Sequence, residues 1–382
     1  MFEIKGARAD AVVFQDREKV EPECVRQIEE VLDSKAAEGS KIRVMPDLHG
    51  GAGICIGFTQ KIAGRVVPNF VGVDIGCGML VARFDGKRTR AIFGNEMGLK
   101  RLDRVWRNEI PMGWNHRRGP HAFAANVHLE NVRAPVDRKK LLLSVGTLGG
   151  GNHFGELDRD EETGDHWLVI HSGSRHLGVE VARHYQKLAC ELRDARGDSD
   201  VPDHLAWLEG EALDDYLNDM KWAQEFAAWN REAMLDEIVR AFNLKKFLVE
   251  KFCTVHNYID LGNGIVRKGA ISLAAGERAI VPLNMRDGSL IVRGTGNPDW
   301  NFSGPHGAGR VLSRTAARET LRMQDFRSAM AGIYTTSVSA ATIDESPMAY
   351  KPAEEIVGQI GETCDVETRI RPVWNVKAGD GE

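Results

Sequence analysis

The chain has few cysteines, six in all, at 24, 55, 77, 190, 253 and 364, and no two of them form a Cys-x-x-Cys pair. Scattered thiols in 382 residues exclude a disulfide scaffold and fit a reducing compartment. No apolar run approaches membrane-spanning length, and no charged-then-apolar leader opens the sequence. The expectation is a cytoplasmic protein with no membrane partner. Low-complexity tracts and internal repeats are missing too. Positive charge is not in surplus: the net charge is −5, so any nucleic-acid site must be a local patch. What remains, 42% apolar and 27% charged residues, is an ordinary globular composition. It suffices for one large core or two modest ones.

The residues able to do chemistry sit in glycine-rich stretches. Val71-Gly-Val-Asp-Ile-Gly-Cys-Gly-Met79 sets Asp74 and Cys77 three residues apart, just before an apolar run. A carboxylate and a thiol held so close suit metal ligation. A buried inert cysteine beside a turn-forming aspartate fits the same residues. Gly146-Thr-Leu-Gly-Gly-Gly-Asn-His-Phe-Gly-Glu156 lets backbone approach a ligand closely and projects Asn152, His153 and Glu156 from a turn. Trp167–Ile170 reads as a buried strand ending in His171-Ser-Gly-Ser-Arg-His176, where metal and phosphate sites are commonly built. His256 ends another apolar run, Phe252-Cys-Thr-Val.

Along the chain, Pro22–Leu32 reads as an amphipathic helix with Gly39 as its stop, and Lys41–Met45 as a strand. The loop that follows carries Asp47 and His49, either as support for a ligand or as an Asx-type turn with a surface histidine. Strands are expected at Ile62–Val67 and Gly78–Phe84. Lys100–Arg118 is basic and holds Trp106 and Trp114. Interleaved Arg and Trp can hold phosphates and stack bases, but a solvated helix face with buried tryptophans explains the same residues and is the preferred reading. Residues 203–250 are charged and glycine-poor, and read as a helical layer on the core with no ligand set. Leu261–Ile265 is a hairpin-like turn with Arg267 and Lys268 on the outgoing strand.

Gly304-Pro305 reads as a helix opening that continues through Arg310 to Leu321. His306 would then sit at the positive end of a helix dipole, which keeps an imidazole neutral. A neutral, accessible imidazole can serve as a covalent nucleophile.

Taken in order, Asp-Ile-Gly-Cys-Gly-Met, Gly-Thr-Leu-Gly-Gly-Gly-Asn-His-Phe, His-Ser-Gly-Ser-Arg, Val-His-Asn and His-Gly-Ala-Gly-Arg resemble the RtcB family of RNA-splicing ligases. The resemblance runs from about Met45 to Lys377. It implies an enzyme joining an RNA 2′,3′-cyclic phosphate or 3′-phosphate end to a 5′-hydroxyl end with GTP and manganese. By motif, Cys77 resembles the ligand shared by two metal ions. Asp74 and His153 would complete one site, and His171 and His256 the other. His306 resembles the histidine that takes GMP as a phosphoramidate. Asn152, Phe154, Glu156, Gly307, Tyr350 and Lys377 resemble residues around the nucleotide. Mn2+ comes from the resemblance alone, since one thiolate with three imidazoles suits zinc as well. The expected fold is one α+β domain over 1–382, with short-stranded sheets around a dinuclear site and helices of 174–250 outside.

The sequence departs from the family pattern at Pro282-Leu-Asn-Met-Arg-Asp-Gly-Ser289, at Pro305, and at Ile265–Ala270, which lacks a histidine before Arg267. These changes point to a divergent branch repairing cleaved tRNA or ribosomal RNA, with room for a helper protein. Asp287 is a candidate acceptor for the two adjacent donors of guanine, or a turn residue of an Asp-Gly hairpin. Two rivals remain: a metal-dependent phosphoesterase that only opens cyclic phosphates, and a non-catalytic RNA-binding protein.

Overall fold

The segment Gly78–Phe84 puts Met79 and Val81 on one face and Leu80, Ala82 and Phe84 on the other, and all five are buried. A strand apolar on both faces belongs in the middle of a sheet with cover on each side. The computed structural model, which describes residues 1–379, builds that arrangement. Its strands are β1 (Phe2–Lys5), β2 (Asp10–Val13), β3 (Lys41–His49), β4 (Ile56–Lys61), β5 (Gly78–Phe84) and β6 (Phe154–Asp160). They continue with β7 (His166–Ser172), β8 (Leu248–Val255), β9 (Asn257–Asp260), β10 (Ile265–Lys268) and β11 (Ala270–Ser272). The last are β12 (Arg278–Asn284), β13 (Gly288–Gly294), β14 (Ser303–Pro305), β15 (Tyr334–Thr335) and β16 (Cys364–Val376).

The largest sheet runs β12-β13-β16-β6-β7-β5-β8, with β15 added beside β16. It curls until its edges approach, and the Ile280 N–H of β12 donates to Thr254 Oγ1 of β8 at 3.2 Å. Inside the curl, Met79, Val81, Trp167, Val169, Ile280, Ile291 and Ile370 form one apolar cluster. Burying side chains of this size stabilises the fold by about 1.5–3 kcal/mol each. On the outside, Leu80 and Phe84 pack with Leu102 and Trp106 of the helix Glu96–Glu109 and with Met234 and Ile238 of the helix Gly210–Phe242. A second sheet, β1-β2-β3-β4-β10-β9, is covered by the helix Pro22–Asp33 through Cys24, Ile28, Val31 and Leu32. A two-stranded ribbon pairs β11 with β14.

Four expectations need correction. The strand expected at Ile62–Val67 forms earlier, at Ile56–Lys61; Gly64 turns the chain with φ 83°, and Val66 makes only an isolated bridge to Leu208. No helix opens at Gly304. Ser303–Pro305 instead pairs with Ala270–Ser272, and the next helix, Arg314–Thr320, starts where Ser313 accepts from the Ala316 N–H. The helical layer expected over 203–250 is one long helix, Gly210–Phe242, which buries Tyr216, Phe226, Asn230, Arg231 and Met234 and exposes Asp214, Lys221 and Ala228; the layer ends short of 250, because from Leu248 the chain is already strand. Finally, the two tryptophans of the basic stretch part company. Trp106 is fully buried against Trp374, whereas Trp114 is 86% exposed. Among the described residues no helix is long and apolar enough to cross a membrane.

Candidate functional site

The curled sheet brings the glycine-rich stretches together at one end. Cys77 immediately precedes β5, His171 lies in β7 opposite both Met79 and Phe154, and His256 follows β8 with its N–H on the Cys77 carbonyl at 2.9 Å. Strand pairing therefore places three ligand candidates that are far apart in sequence. His171 Nε2 lies 3.2 Å from Cys77 Sγ and 2.9 Å from His256 Nε2. On the other side, His153 Nε2 lies 3.3 Å from Cys77 Sγ and 3.0 Å from Asp74 Oδ2. Two triads result, Cys77–His171–His256 and Asp74–Cys77–His153, and Cys77 belongs to both.

The donor chemistry fits a metal. His171 Nδ1 lies 3.1 Å from the Asn152 carbonyl, which can only accept, so the proton sits on Nδ1 and the Nε2 lone pair faces the cluster. Burial pushes His171 well below the usual histidine range and His256 down to about 3, so both rings stay neutral, as ligands must be. Burial would raise the Asp74 carboxyl, but the charge and hydrogen bond of His153 outweigh it and hold Asp74 down at about 2. The Cys77 thiol is driven well up, first by burial and then by Asp74; a thiolate here needs a cation beside it. Glycine makes the room. A Cβ at Gly149 would overlap His153 Nδ1 and Arg175 Nη1, and one at Gly173 would overlap Asp74 Oδ1.

A chamber of about 420 Å³ opens on the His171–His256 side of the cluster. Asn152, Phe154, Glu156, His306, Gly307, Tyr350 and Lys377 all line it. The His306 and His256 ring centroids are 5.0 Å apart. Lys377 Nζ donates to Glu345 Oε2 at 2.8 Å and lies 5.2 Å over the Phe154 ring. Tyr350 donates its hydroxyl to the same carboxylate at 2.9 Å.

Asp287 is not brought into this chamber. Its carboxylate stays in the β12–β13 turn, accepting from Asn284 Nδ2 at 2.8 Å and Arg286 Nη2 at 2.9 Å, and it lines a separate cavity with Met348 and Lys351. Gly288, at φ 74°, makes the turn and leaves the aspartate on its outer side.

Two contributors escaped the sequence reading, and a third, Asp47, was read as support or as a turn residue without its partner. Asp47, fully buried, reaches His306 rather than capping its own turn. From the long helix, Asn230 Oδ1 accepts from the Gly146 and Thr147 N–H groups, and its Nδ2 donates to the Gly173 carbonyl at 3.1 Å. The neighbouring Arg231 donates from Nη1 to the Gly76 and Ser172 carbonyls at 2.8 and 2.7 Å. These two side chains hold the loops on which Cys77, His153 and His171 sit. A polar pair in phase with Phe226, Ala227 and Met234 on an otherwise apolar face was the available signal.

A cysteine shared between two triads of candidate ligands, with a histidine-bearing chamber beside them, makes a candidate metal centre. Comparison with known proteins gives the family. The model described as "tRNA-splicing ligase RtcB" matches residues 27–139 and 124–378. RNA-splicing ligase RtcB of Escherichia coli strain K12 is 34% identical over 376 residues, covering 88% of this chain and 90% of that protein. E. coli RNA-splicing ligase RtcB2 is 29% identical over 368 residues, with 88% of both chains covered. The tRNA-splicing ligase RtcB of Pyrobaculum aerophilum is 28% identical over 426 residues, with 87% of both covered. The chain belongs to the RtcB family.

Proposed function

We propose that this protein is an RNA ligase, a single ligase domain that joins an RNA 2′,3′-cyclic phosphate or 3′-phosphate end to a 5′-hydroxyl end using GTP. The observation that carries the reading is the state of His306. Its Nδ1 is held by Asp47, which leaves Nε2 as the free nitrogen of a ring lining the chamber. A ring nitrogen so oriented and open to the chamber is placed to act as a nucleophile.

In this reading His306 Nε2 attacks the α-phosphorus of GTP, and an N–P bond forms as the P–O bond to pyrophosphate breaks. An oxygen of the RNA 3′-phosphate then displaces the histidine, which recovers its lone pair, and GMP is left joined to the RNA end through P–O–P. The 5′-hydroxyl oxygen of the second strand attacks the RNA phosphorus, its proton passes to solvent, and GMP departs as the phosphodiester forms. Water opens a cyclic phosphate beforehand.

Asp74, Cys77 and His153 would hold one ion, and Cys77, His171 and His256 a second. Mn2+ held there supplies positive charge against the phosphate oxygens. Phe154 offers a face to a base, and Lys377 a charge to phosphate or ribose. Asp287 takes no part. The altered 282–289 segment, whose Pro282 carbonyl accepts from Ala308 in the chamber wall, supports a specialised role in repairing cleaved tRNA or ribosomal RNA.

The test is incubation with α-labelled GTP and Mn2+, followed by a search for acid-labile label on the protein. Wild type should take the label and His306→Ala should not. Label on the variant removes His306 from its role. Unlabelled wild type that still opens a cyclic phosphate is a phosphoesterase, and one that does neither is a binding protein.

A further inference from the structure

The strands β5, β6 and β7 are seven residues each, and the ligand cluster occupies one end of them. At their other end, about 20 Å along the strands, lies another cavity, of about 680 Å³. Its walls are the helix Gly86–Phe93, which follows β5, the turn between β6 and β7, and the segment 332–334 at the start of β15. The first two are locked together. A Cβ on Gly86 would overlap the Gly164 carbonyl of the turn, and the Asp165 carboxylate accepts from the Gly86 N–H at 2.8 Å and from Arg83 Nε at 2.7 Å.

The charge in this cavity is unbalanced. Lys87, Arg90 and Arg159 line it, and among the described residues none of the three makes an ion pair. Glu96, the carboxylate of the lining, is already paired with Lys100 at 2.8 Å. The cations gather at one end. Arg159 lies beside Gly164, which abuts Gly86; Lys87 is the next residue, and Arg90 follows one turn along the helix.

The deeper wall holds a group of another kind. His166 is 3% exposed and lines the same cavity. Thr89 Oγ1 donates to the Asp85 carbonyl at 2.8 Å, so toward His166 Nδ1, also at 2.8 Å, it can only accept. The imidazole proton is thereby fixed on Nδ1. Nε2 keeps its lone pair and has no partner among the described residues. Burial, and then the charge of Arg159, holds His166 down at about 4, so the ring is neutral. Phe93 stands edge-on to it, with ring centroids 5.6 Å apart, and joins Leu99, Ile333 and Val373 in an apolar floor. Cations at one end, an apolar floor and one oriented acceptor between them are the makeup of a small-molecule site.

We propose that this cavity binds a mononucleotide, its phosphate among Lys87, Arg90 and Arg159, its base on the floor beside Phe93, and a donor of the base on His166 Nε2. The inference goes beyond the ligase reading and does not depend on it, since the length of the strands keeps this site away from the His306 chamber. An RNA backbone is met by cations strung along an open surface, whereas these three meet in one concavity with an apolar floor.

The test is equilibrium dialysis of the full chain against radiolabelled AMP, without metal and at fixed salt. AMP is the probe because the ligase reading assigns guanine to the His306 chamber. Wild type should bind one AMP per chain. Adenosine and inorganic phosphate, each one part of the ligand, should compete at least about tenfold less well. Arg90→Ala and Arg159→Ala should each weaken AMP about tenfold, the scale of one charge-assisted contact. Both side chains are exposed, so their loss does not disturb packing. His306→Ala should bind AMP as wild type does. The proposal is overturned by wild type that binds no AMP, by phosphate competing as well as AMP, or by binding unchanged in both arginine variants. Loss of AMP in His306→Ala would move the nucleotide to the other chamber, and displacement of AMP by a short RNA with hydroxyl ends would make the cavity a strand contact; either result also overturns it. GTP labelling bears on the ligase reading alone, so the two readings fail separately.

Discussion

Oδ2 of Asp47 lies 2.7 Å from Nδ1 of His306 and 3.1 Å from the backbone nitrogen of the same residue. A carboxylate accepts and does not donate, so the imidazole proton is fixed on Nδ1 and the lone pair on Nε2. The second bond, to the main chain, sets the position of the whole residue as well as the angle of its ring. Asp47→Asn offers an amide that can turn either its oxygen or its NH₂ toward the ring, so the tautomer is no longer imposed. Guanylylation should fall by roughly 10²-fold or more, by analogy with other oriented histidines. The rate of label transfer from GTP measures it, with metal content as a control. A rate equal to wild type would leave Asp47 with no part beyond folding.

Cys77 belongs to both triads, whereas His171 belongs to one. Cys77→Ala should therefore lower metal content at both sites, and His171→Ala at one. Elemental analysis of purified protein decides the matter. Two ions retained in Cys77→Ala would remove the shared role.

Arg231 ties together the loops that carry Cys77 and His171 without touching either side chain's donor atom. Lysine at this position keeps the charge but lacks the planar fork. Arg231→Lys should leave a buried carbonyl unsatisfied, costing about 1–3 kcal/mol of stability. Metal affinity should drop roughly 10- to 100-fold, as when other groups that orient ligands are lost. Titration of metal into a variant shown by circular dichroism to be folded provides the readout. Lower stability with undiminished affinity would make Arg231 a structural residue only.

Asp158 shares the inner face of β6 with Glu156 and is fully buried. Burial pushes its carboxyl up to about 8, and Glu156 well above its ordinary range, with Asp158 adding to the rise. Below about pH 4 the Asp158 carboxyl is protonated in both folded and unfolded chains. Between there and about pH 8 only the unfolded chain releases the proton, so this carboxyl erodes stability as pH rises through that window. Asp158→Asn removes the effect. Its melting temperature relative to wild type should climb between pH 5 and pH 8, and thermal melts across that range show it. A difference that does not change with pH would mean the carboxyl is not protonated in the fold.

The clustering of the candidate ligands was legible because their glycine-rich surroundings have few structural uses; Gly149 and Gly173 turn out to be the space that His153, Arg175 and Asp74 occupy. The strand Gly78–Phe84 and the helix opening at Pro22 were equally plain from their periodicity. His306 was singled out for a reason that did not survive. No helix dipole acts on it, because Pro305 ends a strand paired with Ala270, and the group that orients the ring is Asp47. That partner lies 259 positions away, and no local pattern encodes a contact of such range. Asn230 and Arg231 were hidden for a different reason: a charged, tryptophan-containing helix reads as surface until one knows which of its faces is buried, and theirs is. Asp287 was misplaced because an Asp-Gly turn has two faces, and the sequence does not say which one meets the chamber.

The order of the ligands along the chain has a consequence for how the protein is made. Asp74, Cys77 and His153 lie in the first half of the sequence, and His256 follows about a hundred residues later. At roughly 5–20 residues per second, translation leaves an interval of about 5–20 s in which a nascent chain has the makings of one triad and not the other. The second triad also waits for β8 to dock on β5, a pairing between distant segments of the kind that forms slowly. Completion of the two triads is thereby ordered in time. The shared thiol gains its first partners on an unfinished polypeptide, and the second triad closes only when the sheet is complete.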